Sequence, residues 1–383
     1  AGCGEAPYAK LLALLFGPRM YIANATGCSS IWGGSAPGIP YTKNEKGQGP
    51  AWANSLFEDN AEYGYGMYLA QDTMRKRLIR EAEALVGDIE APHEKEVLEN
   101  YLATLEDGEA NLAATDTLID VLSKSLDPRA QQLLHHKQFL SKKSNWILGG
   151  DGWAYDIGFG GLDHVMASGA DVNVLVFDTE VYSNTGGQMS KSTPTGAVAQ
   201  FAANGKEGTK KDLAYMMMTY GSVYVAQVAL GADFNQTLKA FREAESFPGP
   251  SLIIAYSPCI NHGIRGGMVN ADIEMKKAVE CGYWNLFRYD PRRKAEGKNP
   301  FQMDSKAPTG DYQAFLKNEV RYSALMRTYP ERASRLFDRA EVNAIGRHER
   351  LLQWEALSGK LVAAEAEEVE REAASRRAEA EKQ

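Results

Sequence analysis

The sequence predicts an α/β protein built on a parallel β-sheet flanked by helices, with a helical insertion and a helical C-terminal tail. Two patterns predict it. Beyond residue 144, short apolar runs alternate with amphipathic stretches, and such strand–helix alternation is typical of a parallel sheet covered on both faces. Between about residues 61 and 143, apolar residues recur at helical spacing, which predicts a block of helices.

The individual elements follow from these patterns in chain order. Leucines at helical spacing predict a helix over residues 7–16, and a short strand follows at 20–23. The glycine- and proline-rich residues 27–50 predict a long irregular loop, whose length is typical of a functional segment. Asp127-Pro128 predicts a helix start, since proline fits the first helical position. Further strands are expected at 145–148, 172–177, 222–230 and 252–256, and helices at 158–168 and 234–246.

These elements suggest one main unit over residues 1–358, with the helical insertion at about 61–143, followed by a charged tail at 359–383. The tail is expected to be a solvated helix or linker, with partner binding as the alternative. The chain starts without methionine and without a signal peptide, so we expect a piece of a longer polypeptide.

Composition excludes some classes of function. Of the 383 residues 44% are hydrophobic, the net charge is −8 and no basic stripe exists, so nucleic-acid binding is not expected. No apolar run of about 18 residues occurs, so no membrane span is expected. Four scattered cysteines do not predict a disulfide framework. A cytoplasmic location is therefore expected, with an anaerobic or mitochondrion-related organelle as the alternative.

A Gly-Asp-Gly turn after a predicted strand resembles the Mg²⁺–diphosphate anchor of thiamine-diphosphate enzymes. Asp151 would supply a carboxylate to Mg²⁺, while Gly150 and Gly152 let the backbone approach the diphosphate. The helix that follows would direct its N–H groups at the anion. Thr179 and the Val181 carbonyl, two residues apart, would lie on one side of an extended segment as further ligands. The alternative is an ordinary turn and a strand-end hydroxyl.

Five motifs together resemble the C-terminal, thiamine-diphosphate-binding region of the pyruvate:ferredoxin (flavodoxin) oxidoreductases. They are Ala1-Gly2-Cys3-Gly4-Glu5, residues 22–33 around Gly27-Cys28-Ser29-Ser30, residues 54–62, the Gly-Asp-Gly segment through Gln188, and Cys259-Ile260-Asn261-His262-Gly263. The resemblance extends to about His262. One departure is Thr179, where many thiamine enzymes have asparagine.

The resemblance implies a set of site residues. Cys3, Cys28 and Cys259 would be thiolate ligands of a 4Fe–4S cluster, which needs four; the family's remaining cysteine would lie directly before Ala1. Asp151, Thr179 and Val181 would bind Mg²⁺, and Glu5 and Asn184 would act in catalysis, Asn184 facing the reacting carbon. The residues implied to contact the cofactor are Glu5, Cys28, Gly150, Asp151, Gly152, Trp153, Thr179, Glu180, Val181, Tyr182, Ser183 and Asn184.

The implied activity is oxidative decarboxylation of pyruvate to acetyl-CoA and CO₂, with electrons passing through the cluster to ferredoxin or flavodoxin. The family would add other domains of the same polypeptide, coenzyme A and a homodimer. Three alternatives stay open: the core of a pyruvate:NADP⁺ oxidoreductase fused to a flavin reductase, a non-redox thiamine-diphosphate decarboxylase or carboligase, and a non-catalytic subunit.

Other notable residues have simpler interpretations. His262 is interpreted as a hydrogen-bonded turn residue, with a proton donor as the alternative. Cys281 follows a helical pattern and is expected to be a buried thiol. Tyr63, Tyr65 and Tyr68 are expected to pack rather than to bind substrate.

Overall fold

The structure, a computed structural model, describes residues 2–34 and 38–380, without the side chains of 365–370 and 372–380. Within these residues one sheet of eight strands has the order β2-β1-β3-β4-β6-β5-β7-β8. The strands are β1 Met20–Asn24, β2 Ala51–Asn54, β3 Ser144–Gly150, β4 Asn173–Asp178, β5 Tyr224–Val228, β6 Ser251–Tyr256, β7 Phe287–Tyr289 and β8 Phe301–Met303. Neighbours from β2 to β5 are parallel, and β7 and β8 add antiparallel pairs at one edge.

Helices flank the sheet and form much of the chain between its strands. They are α1 Ala6–Phe16, α2 Cys28–Gly34, α3 Asn60–Asp88, α4 Pro92–Ala103, α5 Gly108–Leu122, α6 Pro128–His135, α7 Phe159–Ala167, α8 Leu213–Met218, α9 Phe234–Ser246, α10 Ala271–Glu280, α11 Arg292–Ala295, α12 Tyr312–Lys317, α13 Val320–Thr328 and α14 Pro330–Ala380.

The predicted α/β class with a parallel sheet is confirmed. β4 and β6 are buried along their whole length, as their continuous apolar sequences predict. The sequence prediction missed β2 and the antiparallel β7 and β8, which are only three or four residues long and carry little periodicity.

The prediction of a wholly irregular loop at 27–50 is wrong, because α2 occupies its start. Ser30 Oγ accepts a 3.0 Å hydrogen bond from Gly27 N, and Ser30 N donates to the Gly27 carbonyl at 3.1 Å. This local turn begins a helix despite the flanking glycines. Residues 35–37 of the predicted loop lie outside the described residues.

The helical insertion is present as α3 to α6 and has a hydrophobic core separate from that of the sheet. α6 begins as predicted, with Asp127 accepting a hydrogen bond from Arg129 N. α14 passes residue 358 without a break, and 381–383 lie outside the described residues. The division into 1–358 and 359–383 therefore stays a prediction. No helix in the described part is long and apolar enough to cross a membrane.

Candidate functional site

A cavity of about 230 Å³ lies at the carboxyl ends of β1, β3 and β4, where open parallel sheets bind ligands. Segments following those strands supply most of its walls, and the start of α1 supplies Glu5. The lining residues are Glu5, Ala25, Thr26, Gly27, Cys28, Ser29, Phe57, Gly150, Gly152, Thr179, Val181, Tyr182, Ser183, Asn184 and Thr185.

The three predicted magnesium ligands converge beside this cavity. Thr179 Oγ1 lies 2.9 Å from Asp151 Oδ1 and 3.0 Å from the carbonyl oxygen of Val181. Neighbouring oxygens around octahedral Mg²⁺ lie about 3 Å apart when each metal–oxygen bond is about 2.1 Å. These oxygens are crowded, and the groups that donate hydrogen bonds to them are neutral: Thr179 N and Oγ1 to Asp151 Oδ1, and the Thr179 and Ser183 hydroxyls to the Val181 carbonyl. The arrangement fits a magnesium ion.

The ligands converge by a different route from the one expected. Instead of an extended segment, Glu180 has φ of 61°, in the left-handed region. That conformation costs a residue other than glycine about 1–2 kcal/mol. It folds the chain back between Thr179 and Val181, so that the hydroxyl of the first reaches the carbonyl of the second.

Asp151 is fully buried, and its environment disfavours the ionised form. Burial, followed by the negative charge of Asp178, raises the pKa of Asp151 well above its usual range. Hydrogen bonds from Ser190 Oγ to Oδ2 (2.5 Å) and from Thr179 to Oδ1 act in the opposite direction. A cation beside the carboxylate would stabilise its ionised form in the same way.

The second glycine of the Gly-Asp-Gly turn, Gly152, is needed for close packing, whereas a Cβ on Gly150 would meet only the Phe177 carbonyl oxygen at 3.9 Å. A Cβ on Gly152 would lie 2.7 Å from ring carbons of Tyr182, which lines the cavity. The helix predicted at 158–168 is present as α7, and a π-helical turn over Gly152–Ile157 precedes it. Trp153, in this turn, is fully buried against Gly149 and Gly158 and does not line the cavity.

Glu5 and Cys28 line the same cavity as Thr179 and Val181. Trp32 Nε1 donates a 2.7 Å hydrogen bond to Glu5 Oε2, and burial raises the pKa of Glu5 to about 7. Burial also raises the pKa of the Cys28 thiol, as do the charges of Glu5, Cys259, Cys3 and Asp151. Cys28 therefore lies within electrostatic range of both other candidate thiols and of the predicted metal site.

The segments carrying Cys3 and Cys259 lie against each other. Gly4 N donates to the Pro258 carbonyl at 3.1 Å, and a Cβ on Gly4 would lie 2.6 Å from Pro258 N. Cys259 Sγ accepts hydrogen bonds of 3.5 Å from both the backbone N and the side-chain Nδ2 of Asn261. Among the described residues no group of three His, Cys, Asp or Glu side chains is close enough to hold a single metal ion.

Glu180 and Asn184 differ in their exposure. Glu180 is buried and makes ionic contacts with Lys210 at 2.9 Å and Arg321 at 2.8 Å, away from the cavity lining. Although burial opposes it, these two positive charges lower the pKa of Glu180. Asn184 is exposed at the mouth of the cavity.

Sequence reasoning missed Ser190, Trp32 and Phe57, which contact the predicted site residues or line the cavity. The sequence signal that could have identified Ser190 is the group of serine and threonine residues that follows Gly186 and Gly187. No local pattern could connect Trp32 with Glu5, because they are 27 positions apart and meet only in the folded chain.

The structure supports the simpler interpretations except at Tyr63, which is exposed, so the prediction that its side chain packs is wrong. His262 is fully buried and its Nε2 lies 2.7 Å from the Thr179 carbonyl oxygen. Burial and Arg321 lower its pKa to about 3, so the ring is neutral. Cys281 is buried, and Tyr65 and Tyr68 pack against the main core.

Comparisons with known proteins agree with this geometry. Residues 134–255 match the family model of the thiamine pyrophosphate enzyme, C-terminal TPP binding domain. The chain is 55% identical over 362 residues to the pyruvate-flavodoxin oxidoreductase of Klebsiella pneumoniae, covering 94% of this chain and 31% of that protein. It is 56% identical over 359 residues to the pyruvate:ferredoxin oxidoreductase of Moorella thermoacetica, covering 91% of this chain and 30% of that protein.

Two further similarities cover a smaller share of the other protein or of this chain. The chain is 52% identical over 355 residues to the mitochondrial pyruvate dehydrogenase [NADP(+)] of Euglena gracilis, covering 91% of this chain and 20% of that protein. The solved structure of 2-oxoglutarate:ferredoxin oxidoreductase from Magnetococcus marinus has a TM-score of 0.40 at 15% identity, covering 68% of this chain and 63% of that one. That structural likeness is too weak to carry an argument.

The chain spans about a third of the length of the first of these relatives. Its residues 134–255 resemble a thiamine-pyrophosphate-binding domain, and over nine tenths of its length it is similar in sequence to one region of the pyruvate-flavodoxin and pyruvate:ferredoxin oxidoreductases.

Proposed function

We propose that this chain is the thiamine-diphosphate-binding region of a pyruvate:ferredoxin or pyruvate:flavodoxin oxidoreductase. The observation that carries the proposal is the convergence of Asp151 Oδ1, Thr179 Oγ1 and the Val181 carbonyl beside a cavity that Cys28 also lines. A non-redox thiamine enzyme would need the first feature but not the second. The overall reaction converts pyruvate and coenzyme A into acetyl-CoA and CO₂, and ferredoxin or flavodoxin takes the electrons.

The chain's own residues have distinct tasks in this proposal. Asp151, Thr179 and Val181 hold Mg²⁺, which neutralises the diphosphate, while the turn around Gly152 admits it closely. When bound, thiamine diphosphate supplies the nucleophilic carbon and the electron sink for decarboxylation. Asn184, which is exposed at the mouth of the cavity, would face the reacting end of the cofactor, and Glu5, which also lines the cavity, would contact the cofactor.

Cys3, Cys28 and Cys259 are proposed ligands of a 4Fe–4S cluster, together with one cysteine upstream of Ala1. Such a cluster passes electrons one at a time. Cys28 is one of the three candidate cluster ligands and also lines the cavity, so the path from cofactor to cluster would be short. The two hydrogen bonds to Cys259 Sγ are of the kind that tune cluster potentials.

The partners in this proposal are the remaining domains of the same polypeptide, and the full-length enzyme is a cytoplasmic homodimer. By the resemblance, the acid that activates the aminopyrimidine ring comes from another domain. The isolated chain is therefore expected to bind Mg²⁺–thiamine diphosphate weakly and not to turn over. Pyruvate- and coenzyme-A-dependent dye reduction by the isolated chain would contradict this.

The cluster is tested by iron and sulfide analysis of the chain extended upstream to restore the missing cysteine and purified without oxygen. About four iron and four sulfide per chain are expected. Cys28→Ala should lose them, and Cys281→Ala should keep them, because the electrostatic neighbours of Cys281 are Glu274 and Glu319 rather than the other thiols. Absence of iron in the unsubstituted chain would favour a non-redox thiamine enzyme.

A second candidate is the same core fused to a flavin reductase, as a pyruvate:NADP⁺ oxidoreductase. The similarity to the Euglena gracilis protein supports it. The two candidates are separated by assaying the full-length protein with pyruvate and coenzyme A, using NADP⁺ or ferredoxin as the acceptor.

A further inference from the structure

The turn that carries two of the three proposed metal ligands is held in a strained conformation. Glu180, between Thr179 and Val181, has φ of 61°. Residues other than glycine rarely adopt this region, and they keep it only where surrounding contacts enforce it. Without this backbone conformation, the Thr179 hydroxyl would not reach the Val181 carbonyl at 3.0 Å.

The contacts that enforce it converge on the side chain of Glu180, which is 1% exposed. Lys210 Nζ lies 2.9 Å from Oε1, while Tyr283 OH donates to Oε2 at 2.5 Å and an Arg321 nitrogen lies 2.8 Å from the same oxygen. The Glu180 carbonyl also accepts a 2.5 Å hydrogen bond from Thr193 Oγ1. Side chain and backbone of the strained residue are thus both fixed.

Lys210 connects this residue to the sheet. Its Nζ lies 2.8 Å from Asp178 Oδ2 as well as 2.9 Å from Glu180 Oε1. Asp178 is the last residue of β4 and is fully buried, and its Oδ1 accepts a 3.2 Å hydrogen bond from Glu180 N. Tyr155 OH and Ser192 Oγ donate to the same carboxylate at 2.8 and 2.5 Å. One ammonium group therefore bridges a rigid strand end and the strained turn.

Stability alone does not account for this arrangement. Buried ion pairs can often be replaced by apolar side chains of similar volume without loss of stability, whereas removal of one partner is strongly destabilising. What such a network provides is a single geometry, because each charge accepts only arrangements that keep its partners in place. Groups that orient metal ligands in this way strongly influence metal affinity.

We propose that Lys210 is a positioning residue for the magnesium site: by bonding Asp178 and Glu180 together, it holds the left-handed turn that brings Thr179 and Val181 beside Asp151. The inference rests on the proposed function, since it takes these three residues as magnesium ligands. Tyr283 supports the same turn through its hydrogen bond to Glu180.

The test is the affinity of the full-length polypeptide for Mn²⁺, measured by electron paramagnetic resonance at saturating thiamine diphosphate. Lys210→Met should raise the dissociation constant for Mn²⁺ about 10- to 100-fold, as loss of a ligand-orienting group does. Tyr283→Phe, which keeps the ring and all charges and should fold, is expected to raise it about fivefold, the effect of one lost hydrogen bond.

The matched control is Lys211→Met, which removes the neighbouring lysine. Lys211 donates to the Tyr155 carbonyl at 3.1 Å and lies over the Phe159 ring, away from the turn. It should bind Mn²⁺ like the unsubstituted protein even if its melting temperature falls as far as that of Lys210→Met.

The outcomes distinguish the positioning role of Lys210 from the proposed function of the chain. Unchanged Mn²⁺ affinity in folded Tyr283→Phe and Lys210→Met, with normal binding by the unsubstituted protein, would overturn the role of Lys210 alone. If Lys210→Met does not fold, unchanged Mn²⁺ affinity in folded Tyr283→Phe is enough to overturn the role of Lys210. Failure of the unsubstituted protein to bind Mn²⁺ with thiamine diphosphate would overturn the proposed function as well.

Discussion

Replacing Ser190 with alanine should weaken metal and cofactor binding while leaving the fold intact. Ser190 Oγ donates a 2.5 Å hydrogen bond to Asp151 Oδ2 and accepts one of 3.0 Å from Ser192 N. The substitution leaves Oδ1 of the same carboxylate bonded to Thr179. Asp151 would then be harder to ionise, because burial already raises its pKa and Ser190 is the first of the groups that lower it.

The size of the effect follows from the charge on the acceptor. A hydrogen bond to a charged group contributes about 1.5–3 kcal/mol. Since each 1.4 kcal/mol is tenfold, this corresponds to roughly a 10- to 150-fold change in a binding constant. Loss of a group that orients a metal ligand typically weakens metal binding by about 10–100-fold. We therefore expect Mg²⁺ to bind about 10 to 100 times more weakly.

The assay is calorimetric titration of Mg²⁺ into the full-length protein at saturating thiamine diphosphate, with melting temperatures recorded for each variant. The control is Thr195→Val, which removes another buried hydroxyl from the same segment. Thr195 Oγ1 donates to the Gly208 carbonyl at 2.9 Å and does not contact Asp151. Equal Mg²⁺ affinity in folded Ser190→Ala and in Thr195→Val would refute the argument that Ser190 prepares Asp151 for the metal.

Three further predictions concern packing and pH. Gly152→Ala should displace the Tyr182 ring, whose carbons would lie 2.7 Å from the new Cβ, and weaken thiamine diphosphate binding in a calorimetric titration. Gly160→Ala, in α7 with no atom within 4 Å of its Cβ, should instead stabilise the chain by up to about 1 kcal/mol in urea unfolding; a loss of stability there would contradict the packing argument. Burial raises the pKa of Glu319 from 4.5 to about 7, so the folded chain keeps a proton that the unfolded chain releases. The contribution of Glu319 to the free energy of unfolding therefore falls as pH rises from about 4.5 to 7, by at most about 3 kcal/mol. Glu319→Gln should flatten urea-unfolding free energies over that range, and an unchanged slope would contradict the assignment.

The fold was predictable wherever it depended on periodicity. The core strands β3, β4 and β6 have continuous apolar sequences, and α9 was predicted at its observed bounds. The short strands β2, β7 and β8 were not predictable, because they are defined by pairing with β1, with β5 and with each other rather than by local pattern.

The candidate site was also predictable in part. The positions of Asp151, Thr179 and Val181 were predictable, because a turn motif and a fixed spacing from it identify them. How they converge was not, because the left-handed conformation of Glu180 depends on contacts with Lys210 and Arg321, 30 and more positions away.

The sequence by itself determined the α/β class, because that class depends on apolar periodicity within short stretches. It also indicated the candidate diphosphate anchor and the three candidate thiols, because the short motifs that contain them resemble those of a known family. Only the tertiary structure decided that Ser190 contacts Asp151, that Trp32 donates to Glu5 and that Lys210 bridges the end of β4 to the turn that carries the proposed metal ligands. Those contacts join segments distant in sequence, and burial makes each buried charge or polar group select its partners, which no local pattern in the chain records.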